Sequence, residues 1–176
     1  KKNKRISPFQ LKIPSPKETG KTFLENSKLK ANFFSKKSGL ISISDDSGLM
    51  VSCLSNRPGI YSARWAKKYG GFKNAMAKII ELVDKKNVKV KSENRKAEFI
   101  CSLTLKKPGA NSISAIGKIK GKISKKILGK KGFGYDSIFI PRGQNVTFGQ
   151  MSPKKKILMD HRYLAFKKLK KKTNIL

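Results

Sequence analysis

Hydrophobic and polar positions recur along this chain with helical and strand periods, and they predict three helices and five strands. The clearest helix carries an apolar stripe at spacings of three and four, made of Phe72, Ala75, Met76, Ile79, Ile80 and Val83. Short alternating or apolar stretches predict strands at 41–44, 49–54, 97–105, 112–123 and 135–140.

Two helix starts and one helix end have recognisable signals. Thr22 and Glu25 have the spacing of a capping box, so a helix is predicted to begin there. Gly39 is a typical residue just after the end of that helix. Ser152 followed by Pro153 predicts the start of a single last helix.

The order of these elements is helix, two strands, helix, three strands, helix. This order favours an α/β fold in which a mixed twisted sheet has flanking helices. The lysine-rich stretch 85–96 is predicted to be a solvated linker. A length of 176 residues suits one domain over residues 1–176.

The charge is strongly basic, with 42 Lys and Arg against 10 Asp and Glu and a formal net charge of +32. Only six of the 42 are Arg, and Lys is spread through nearly every polar segment. Base-reading sites favour Arg for its bidentate geometry, so a general lysine bias is favoured over dedicated nucleic-acid binding. We expect attraction of anionic substrates and only non-specific binding to nucleic acid.

Cys53 and Cys101 are the only cysteines and have no CxxC spacing. They are interpreted as reduced core thiols of a cytoplasmic protein. The apolar runs are too short to span a membrane, so no membrane association is expected.

Two adjacent aspartates stand out in a chain with so few acids. Asp45 and Asp46 precede Ser47 and Gly48 and are predicted to form a turn after a strand. Carboxylates at a strand end can bind Mg²⁺ or deprotonate a water. Asp, Ser and Gly are also ordinary turn residues, so a solvated turn is the alternative.

A glycine-rich loop carries two aromatic residues and an aspartate, in the order Phe133, Gly134, Tyr135 and Asp136. The aromatic rings offer faces on which a base can stack, and Asp136 can accept hydrogen bonds from a purine edge. The alternative is a hairpin turn with one buried aromatic ring.

Lys156, His161 and Arg162 lie near the start of the last predicted helix. A lone histidine is more often structural than catalytic. Together with the acidic turn and the aromatic loop, however, these residues are the parts needed to bind and hydrolyse a nucleoside triphosphate.

Several stretches, in order along nearly the whole chain from Glu18, resemble the Ham1/RdgB family of inosine/xanthosine triphosphate pyrophosphatases. They include ETGKTFLENSKLKA (18–31), SDDSGLMV (44–51), GFGYDSIFIP (132–141), TFGQMSPKKK (147–156) and DHR (160–162). The resemblance implies two lobes around a central substrate cleft, a homodimer, and Mg²⁺-dependent hydrolysis of ITP, dITP or XTP to the monophosphate and pyrophosphate.

The resemblance also implies roles for individual residues. Asp46 matches the general base and a metal ligand, and Glu18 matches a second metal-site acid. The substrate-binding positions are matched by Ser47, Phe133, Gly134, Tyr135, Asp136, Lys156, His161 and Arg162.

The sequence departs from the family pattern in several respects, among them Ser137 where Pro is usual and Lys120 where an acid is common. The family opens with a strand and a Thr-Gly-Asn-x-x-Lys phosphate loop, and we expect this chain to begin after them. Asp160 stands where Ser is common, and it would raise the pKa of His161 if the two side chains touch. Two alternatives therefore stay open: an inactive fragment that binds nucleic acid, and a related pyrophosphatase with another base preference.

Overall fold

The computed structural model describes residues 5–91 and 93–173, and within them one five-stranded sheet is the centre of the fold. The strands are β1 (Ser42–Val51), β2 (Arg57–Pro58), β3 (Lys96–Lys106), β4 (Ile113–Ile123) and β5 (Phe139–Pro141), in the spatial order β2-β1-β3-β4-β5. The helices are α1 (Phe23–Ser38), α2 (Ser62–Lys68), α3 (Phe72–Lys89), α4 (Pro153–Ile157) and α5 (His161–Lys171).

The predicted α/β fold with flanking helices is confirmed, but the sheet is antiparallel rather than mixed. All four strand pairs are antiparallel. The order of helices and strands had favoured a mixed sheet. Instead, Val51 at the end of β1 lies opposite Ala97 at the start of β3, so the chain re-enters the sheet at the end where it left.

Helix α1 follows its sequence signals closely. The Thr22 hydroxyl accepts a hydrogen bond from the Glu25 amide at 3.1 Å, while the Glu25 carboxylate accepts from the Lys21 amide at 2.7 Å. Gly39 ends the helix with φ of 69°, a left-handed conformation that glycine adopts without steric cost.

Other elements differ from the prediction. Helix α3 continues to Lys89 and so includes residues 85–89 of the predicted linker, supported by an ion pair of 2.7 Å between Glu81 and Lys85. Residue 92 of that linker lies outside the described residues. The last helix is divided, since α4 ends before Asp160 caps the new helix α5. Helix α2 was not predicted, and 136–138 form a 3₁₀ turn before a short β5.

The core has two apolar clusters on one face of β3. The first joins α3 to β1, β3 and the β5 region, with Leu49, Ile79, Val83, Phe99, Phe139 and Phe148 among its members. The second seats α5 on the sheet through Cys101, Leu103, Leu105, Ala115, Ala165 and Leu169. Both cysteines are free thiols, as predicted, with Cys101 buried and Cys53 half-buried. In the described residues, no helix has the length and apolar character needed to cross a membrane.

Helix α1 covers the opposite face of β3 through hydroxyl groups. The Ser27 hydroxyl lies 2.9 Å from that of Ser102 and 2.8 Å from that of Thr104. All three residues are fully buried. This layer therefore depends on directional hydrogen bonds, whereas the α5 layer depends on apolar packing.

The contact between α5 and β4 requires a residue without a side chain. A Cβ added at Gly117 would lie 2.0 Å from the carbonyl oxygen of His161 and 2.4 Å from the amide nitrogen of Ala165. Both are backbone atoms, so the whole helix would have to move.

We expect Gly117→Ala to lower the free energy of unfolding by at least about 1–3 kcal/mol, because α5 must shift off the sheet. Urea unfolding measures this change. Lys120→Ala, at an exposed position of the same strand, should stay within about 0.5 kcal/mol of the parent. Equal stability of the two variants would contradict the close packing of α5.

Candidate active site

Asp45 and Asp46 lie in the middle of β1, not in a turn as predicted. Asp45 is opposite Leu103 and Asp46 is opposite Ser102 in the register with β3. Successive side chains of a strand point to opposite faces of the sheet. The two carboxylates therefore face different layers, Asp45 toward α5 and Asp46 toward α1, and each meets its own cation.

Asp46 belongs to a polar group under α1, formed by Glu18, Asn26, Lys30 and Asp46 and called here the Asp46 group. The Asn26 amide donates to one oxygen of Asp46 at 3.2 Å, and the Lys30 ammonium donates to the other at 3.2 Å. The same ammonium contacts Glu18 at 2.6 Å. Asp46 is only 7% exposed, so these contacts hold it in one orientation.

Burial and neighbouring charges act in opposite directions in the Asp46 group. Burial raises the pKa of the Asp46 carboxyl above its usual value; Lys30 opposes this effect and the charge of Glu18 adds to it. Burial alone would lower the pKa of Lys30, but its bonds to the two carboxylates outweigh that cost and raise it. Arg64 adds a second cation, 3.6 Å from Glu18.

Two carboxylates that converge on one cation form the part of the site able to hold a metal. Glu18 and Asp46 both contact the Lys30 ammonium, so their oxygens already point to one positive centre. The described residues contain no cluster of three or more His, Cys, Asp or Glu able to bind a metal. Mg²⁺ commonly uses one or two carboxylates and takes its other ligands from substrate phosphates and water. The pair fits that pattern.

On the other face of the sheet, Asp45 holds Arg162 at the start of α5. One oxygen of Asp45 accepts from the Arg162 guanidinium at 2.8 and 3.2 Å and from the Ser47 hydroxyl at 3.0 Å. Burial would raise the pKa of Asp45, but Arg162 outweighs it and the pKa is lowered. The guanidinium carbon lies 5.2 Å from the centre of the Phe133 ring, a cation–π distance.

The glycine-rich loop is fixed by a buried carboxylate. Asp136 accepts a hydrogen bond from the Phe133 amide at 2.8 Å and from the Lys156 ammonium at 2.7 Å. Gly132 has φ of 77°, and a Cβ there would lie 2.1 Å from the Asp136 carboxylate. Burial raises the pKa of Asp136, against the bond from Lys156. The buried Asp136 carboxylate thus fixes the conformation of the loop.

The two aromatic residues of this loop have different environments. Phe133 is 61% exposed, so much of its ring is open to a ligand. Tyr135 is 2% exposed, and its hydroxyl donates to the Ser62 carbonyl at 2.8 Å. The expectation that the Tyr135 ring offers a stacking face is therefore wrong in this structure: the buried ring packs edge-on against the exposed Phe72.

Lys156 projects from α4 into a buried charged cluster. Its ammonium contacts Asp136 and also Asp160, the latter at 3.3 Å, and lies 4.7 Å from the Phe133 ring centre. Asp160 also caps α5 by accepting from the Arg162 amide at 2.7 Å. Burial tends to raise the pKa of Asp160, but the charges and hydrogen bonds around it prevail and lower it.

His161 is a buried residue stacked on the core. Its ring lies 4.7 Å from the Phe99 ring centre at an angle of 9°, and its Nδ1 is buried without a hydrogen-bond partner. Asp160 Oδ1 is 3.6 Å from Nδ1, beyond hydrogen-bond range. Asp160 acts to raise the pKa of His161, as expected, but burial outweighs the carboxylate and lowers the pKa to about 4.

A cavity of about 570 Å³ opens beside these residues. Its lining is mainly apolar and includes the Phe133 and Phe148 rings. The charged members are Lys131, Lys156, Asp160 and Arg162. Flat apolar surfaces with a few fixed polar groups are typical of a site for a planar ring system. A second cleft of about 560 Å³ is lined by Glu18, Lys30 and Arg64 next to the Asp46 group.

The structure therefore arranges the predicted residues in two groups on either side of β1. Glu18 and Asp46 lie on the α1 side; the α5 side has Ser47, Phe133, Asp136, Lys156, His161 and Arg162. Gly134 lies next to Phe72 of α3, and Tyr135 is in the core. Sequence reasoning missed Asn26, Lys30 and the pairing of Asp45 with Arg162. The spacing of four between Asn26 and Lys30 on α1 is the one signal that placed them on a common face.

The lowered pKa of His161 predicts a pH-dependent stability. The unfolded chain, with an ordinary histidine pKa near 6.5, binds the proton more readily than the folded protein with a pKa of about 4. Stability due to the neutral ring should therefore be complete above about pH 6.5 and be lost as the pH falls toward 4, by about 3 kcal/mol in all. When urea unfolding is measured from pH 4 to 7, the free energy of unfolding should decrease less toward low pH in His161→Phe than in the parent. Parallel curves would contradict the prediction.

The comparisons with known proteins identify the family. The Ham1 family model matches residues 2–172. The chain is 42% identical to the dITP/XTP pyrophosphatase of Caulobacter vibrioides, covering 94% of this chain and 83% of that protein. It is also 42% identical to the enzyme of the same name from Haemophilus influenzae, covering 95% and 85%.

Two solved structures share the fold. A HAM1 protein from Coxiella burnetii matches with a TM-score of 0.84 and 31% identity, over 93% of this chain and 82% of that one. The Staphylococcus aureus Ham1 protein matches with a TM-score of 0.82 and 32% identity over the same shares. This chain belongs to the Ham1 family.

Proposed function

We propose that this protein hydrolyses non-canonical purine nucleoside triphosphates, such as dITP, ITP and XTP, to the monophosphate and pyrophosphate. Its family membership and the dITP/XTP pyrophosphatase name of its relatives support the substrate class. The observation that carries the chemistry is the buried carboxylate of Asp46, held between Asn26 and Lys30 and next to Glu18.

Asp46 acts as the general base in this proposal. A water donates its proton to the Asp46 carboxylate as its oxygen attacks the α-phosphorus; the bond to the bridging α–β oxygen breaks and pyrophosphate leaves with those electrons. In the metal-free protein burial raises the pKa of Asp46, which favours its role as a base; a bound Mg²⁺ would act against this rise. Mg²⁺, held by Glu18 and Asp46, would offset the phosphate charge. Lys30 lies where an ammonium can neutralise phosphate oxygens.

The cavity beside Phe133 receives the purine base. The open part of the Phe133 ring provides a stacking face, and Asp45 presents the Arg162 guanidinium beside it. A donor directed at the 6-oxo group favours hypoxanthine and xanthine. Adenine would leave that donor unpaired, at a cost of about 1–3 kcal/mol. Arg162 is the stronger candidate for this donor, since the His161 ring is buried against Phe99.

Other properties implied by the resemblance belong to the same proposal. They are a homodimer, a cytoplasmic location where such an enzyme cleanses the nucleotide pool, and a substrate cleft between two lobes. In this proposal one substrate contacts both the Asp46 group and the Phe133 cavity, which lie on either side of β1.

We expect the parent protein with Mg²⁺ to release pyrophosphate from dITP and XTP, and much less from dATP and dGTP. Asp46→Asn should lose at least about 100-fold in kcat, because the amide cannot accept the proton. Product analysis with these four nucleotides measures both effects. Glu93→Gln, at an exposed acid outside the site, should retain parental activity.

Each outcome of this experiment is informative. Equal loss in Asp46→Asn and Glu93→Gln would contradict the role of Asp46. If the protein preferred a nucleotide with a different base, the proposed substrate class would be wrong, but the proposed hydrolysis at the α-phosphorus would stand. A folded parent with no turnover of any of the four, but with salt-dependent DNA binding, would favour the nucleic-acid alternative.

The cavity beside Phe133 predicts an effect on substrate binding. Arg162→Ala should raise KM for dITP by about 10- to 100-fold through loss of a charged hydrogen-bond donor, with a smaller change in kcat. Steady-state kinetics checks this result. Lys170→Ala removes the same charge from an exposed position of α5 and should leave KM within about twofold. If both variants raised KM equally, general charge rather than base contact would be responsible.

A further inference from the structure

Lys30 has an unusual position for a residue next to a metal site. Its ammonium lies 2.6 Å from Glu18 and 3.2 Å from Asp46, the two carboxylates suited to hold a cation. It is therefore bound by the very groups that a metal would use. Lys30 and a metal cannot both occupy the point between these oxygens, because two cations there would repel each other.

The charges of this site are balanced without a metal. Glu18 and Asp46 contribute two negative charges, and Lys30 and Arg64 contribute two positive charges within 2.6 to 3.6 Å of them. The Asn26 amide satisfies the remaining oxygen of Asp46. A free divalent cation thus meets carboxylates that are already paired, and it would leave the partly buried Lys30 ammonium without a partner.

A bound triphosphate supplies the partner that Lys30 would otherwise lack. It brings oxygens to which Lys30 can donate, and its own negative charge offsets the added metal. The Lys30 side chain is a flexible four-carbon chain, so its ammonium can move while the backbone stays in place. The backbone itself is fixed, since the neighbouring residue Ala31 is completely buried in α1.

We propose that Lys30 occupies the cation position in the nucleotide-free protein, so that free metal binds weakly and the metal enters together with the nucleotide. The ammonium then transfers from the carboxylates to the phosphates. The inference rests on the proposed function only in its assignment of Glu18 and Asp46 to the metal. It adds a linkage: metal and nucleotide each raise the affinity for the other, by the same factor.

The test measures Mn²⁺ binding directly, by electron paramagnetic resonance of free Mn²⁺, and needs no turnover. Without nucleotide, Lys30→Met should bind Mn²⁺ at least about 10-fold more tightly than the parent, because the competing cation is gone. Lys28→Met removes an equal charge from an exposed position of α1 and should stay within about twofold of the parent. Lys30→Gln is a second variant with the same loss of charge, and circular dichroism verifies the fold of all three.

A non-hydrolysable dITP analogue with a methylene group between the α and β phosphorus atoms provides the second arm. After correction for the Mn²⁺ that the analogue binds by itself, the analogue should tighten Mn²⁺ binding to the parent at least about 10-fold. The increase in affinity should be clearly smaller in Lys30→Met. The inference is overturned if the parent binds free Mn²⁺ as tightly as Lys30→Met and Lys30→Gln do, or if Lys28→Met gains as much. A parent that binds as predicted but shows no pyrophosphate release would overturn the proposed function and leave the role of Lys30 intact.

Discussion

The two-residue period of strand β1 is the constraint on which the candidate site depends. It directs Asp45 to one face of the sheet and Asp46 to the other, so two adjacent carboxylates are not neighbours in space. Each has its own cation, Arg162 at 2.8 Å and Lys30 at 3.2 Å. One strand thereby supplies an acid to a polar group under α1 and an anchor to a pocket beside α5. A shift of one residue in register would exchange the two faces.

The parts of the fold that local signals determine could be predicted from the sequence. The limits of α1 follow from Thr22 and Gly39, and the stripe of α3 and the hairpin of β3 and β4 follow from periodicity. The stretch around Asp45 was predicted as a turn because Asp, Ser and Gly are typical turn residues. Pairing with β3 at every position from Ser42 to Val51 overrides that preference.

The candidate site was predictable as a set of residues but not as an arrangement. Motif order identified Glu18, Asp46, Phe133 and Lys156, yet burial decides what each side chain can do. Tyr135 belongs to the core although it occupies the same loop as the open Phe133 ring. Lys30 was missed because one lysine among so many has no distinguishing pattern; only the fold brings it to two of the ten acids.

The hydroxyl layer beneath α1 has a consequence for the geometry of catalysis. Dispersion contacts between apolar surfaces are not directional, so they define the position of a helix only through the fit of its side chains. The bonds from Ser27 to Ser102 and Thr104 allow one position only, because each hydroxyl loses its partner when the helix moves. Asn26 and Lys30 are on the same helix and flank that bond. The Ser27 hydroxyl thus fixes the position from which both side chains reach Asp46, and the precision of the site originates in a layer that is fully buried.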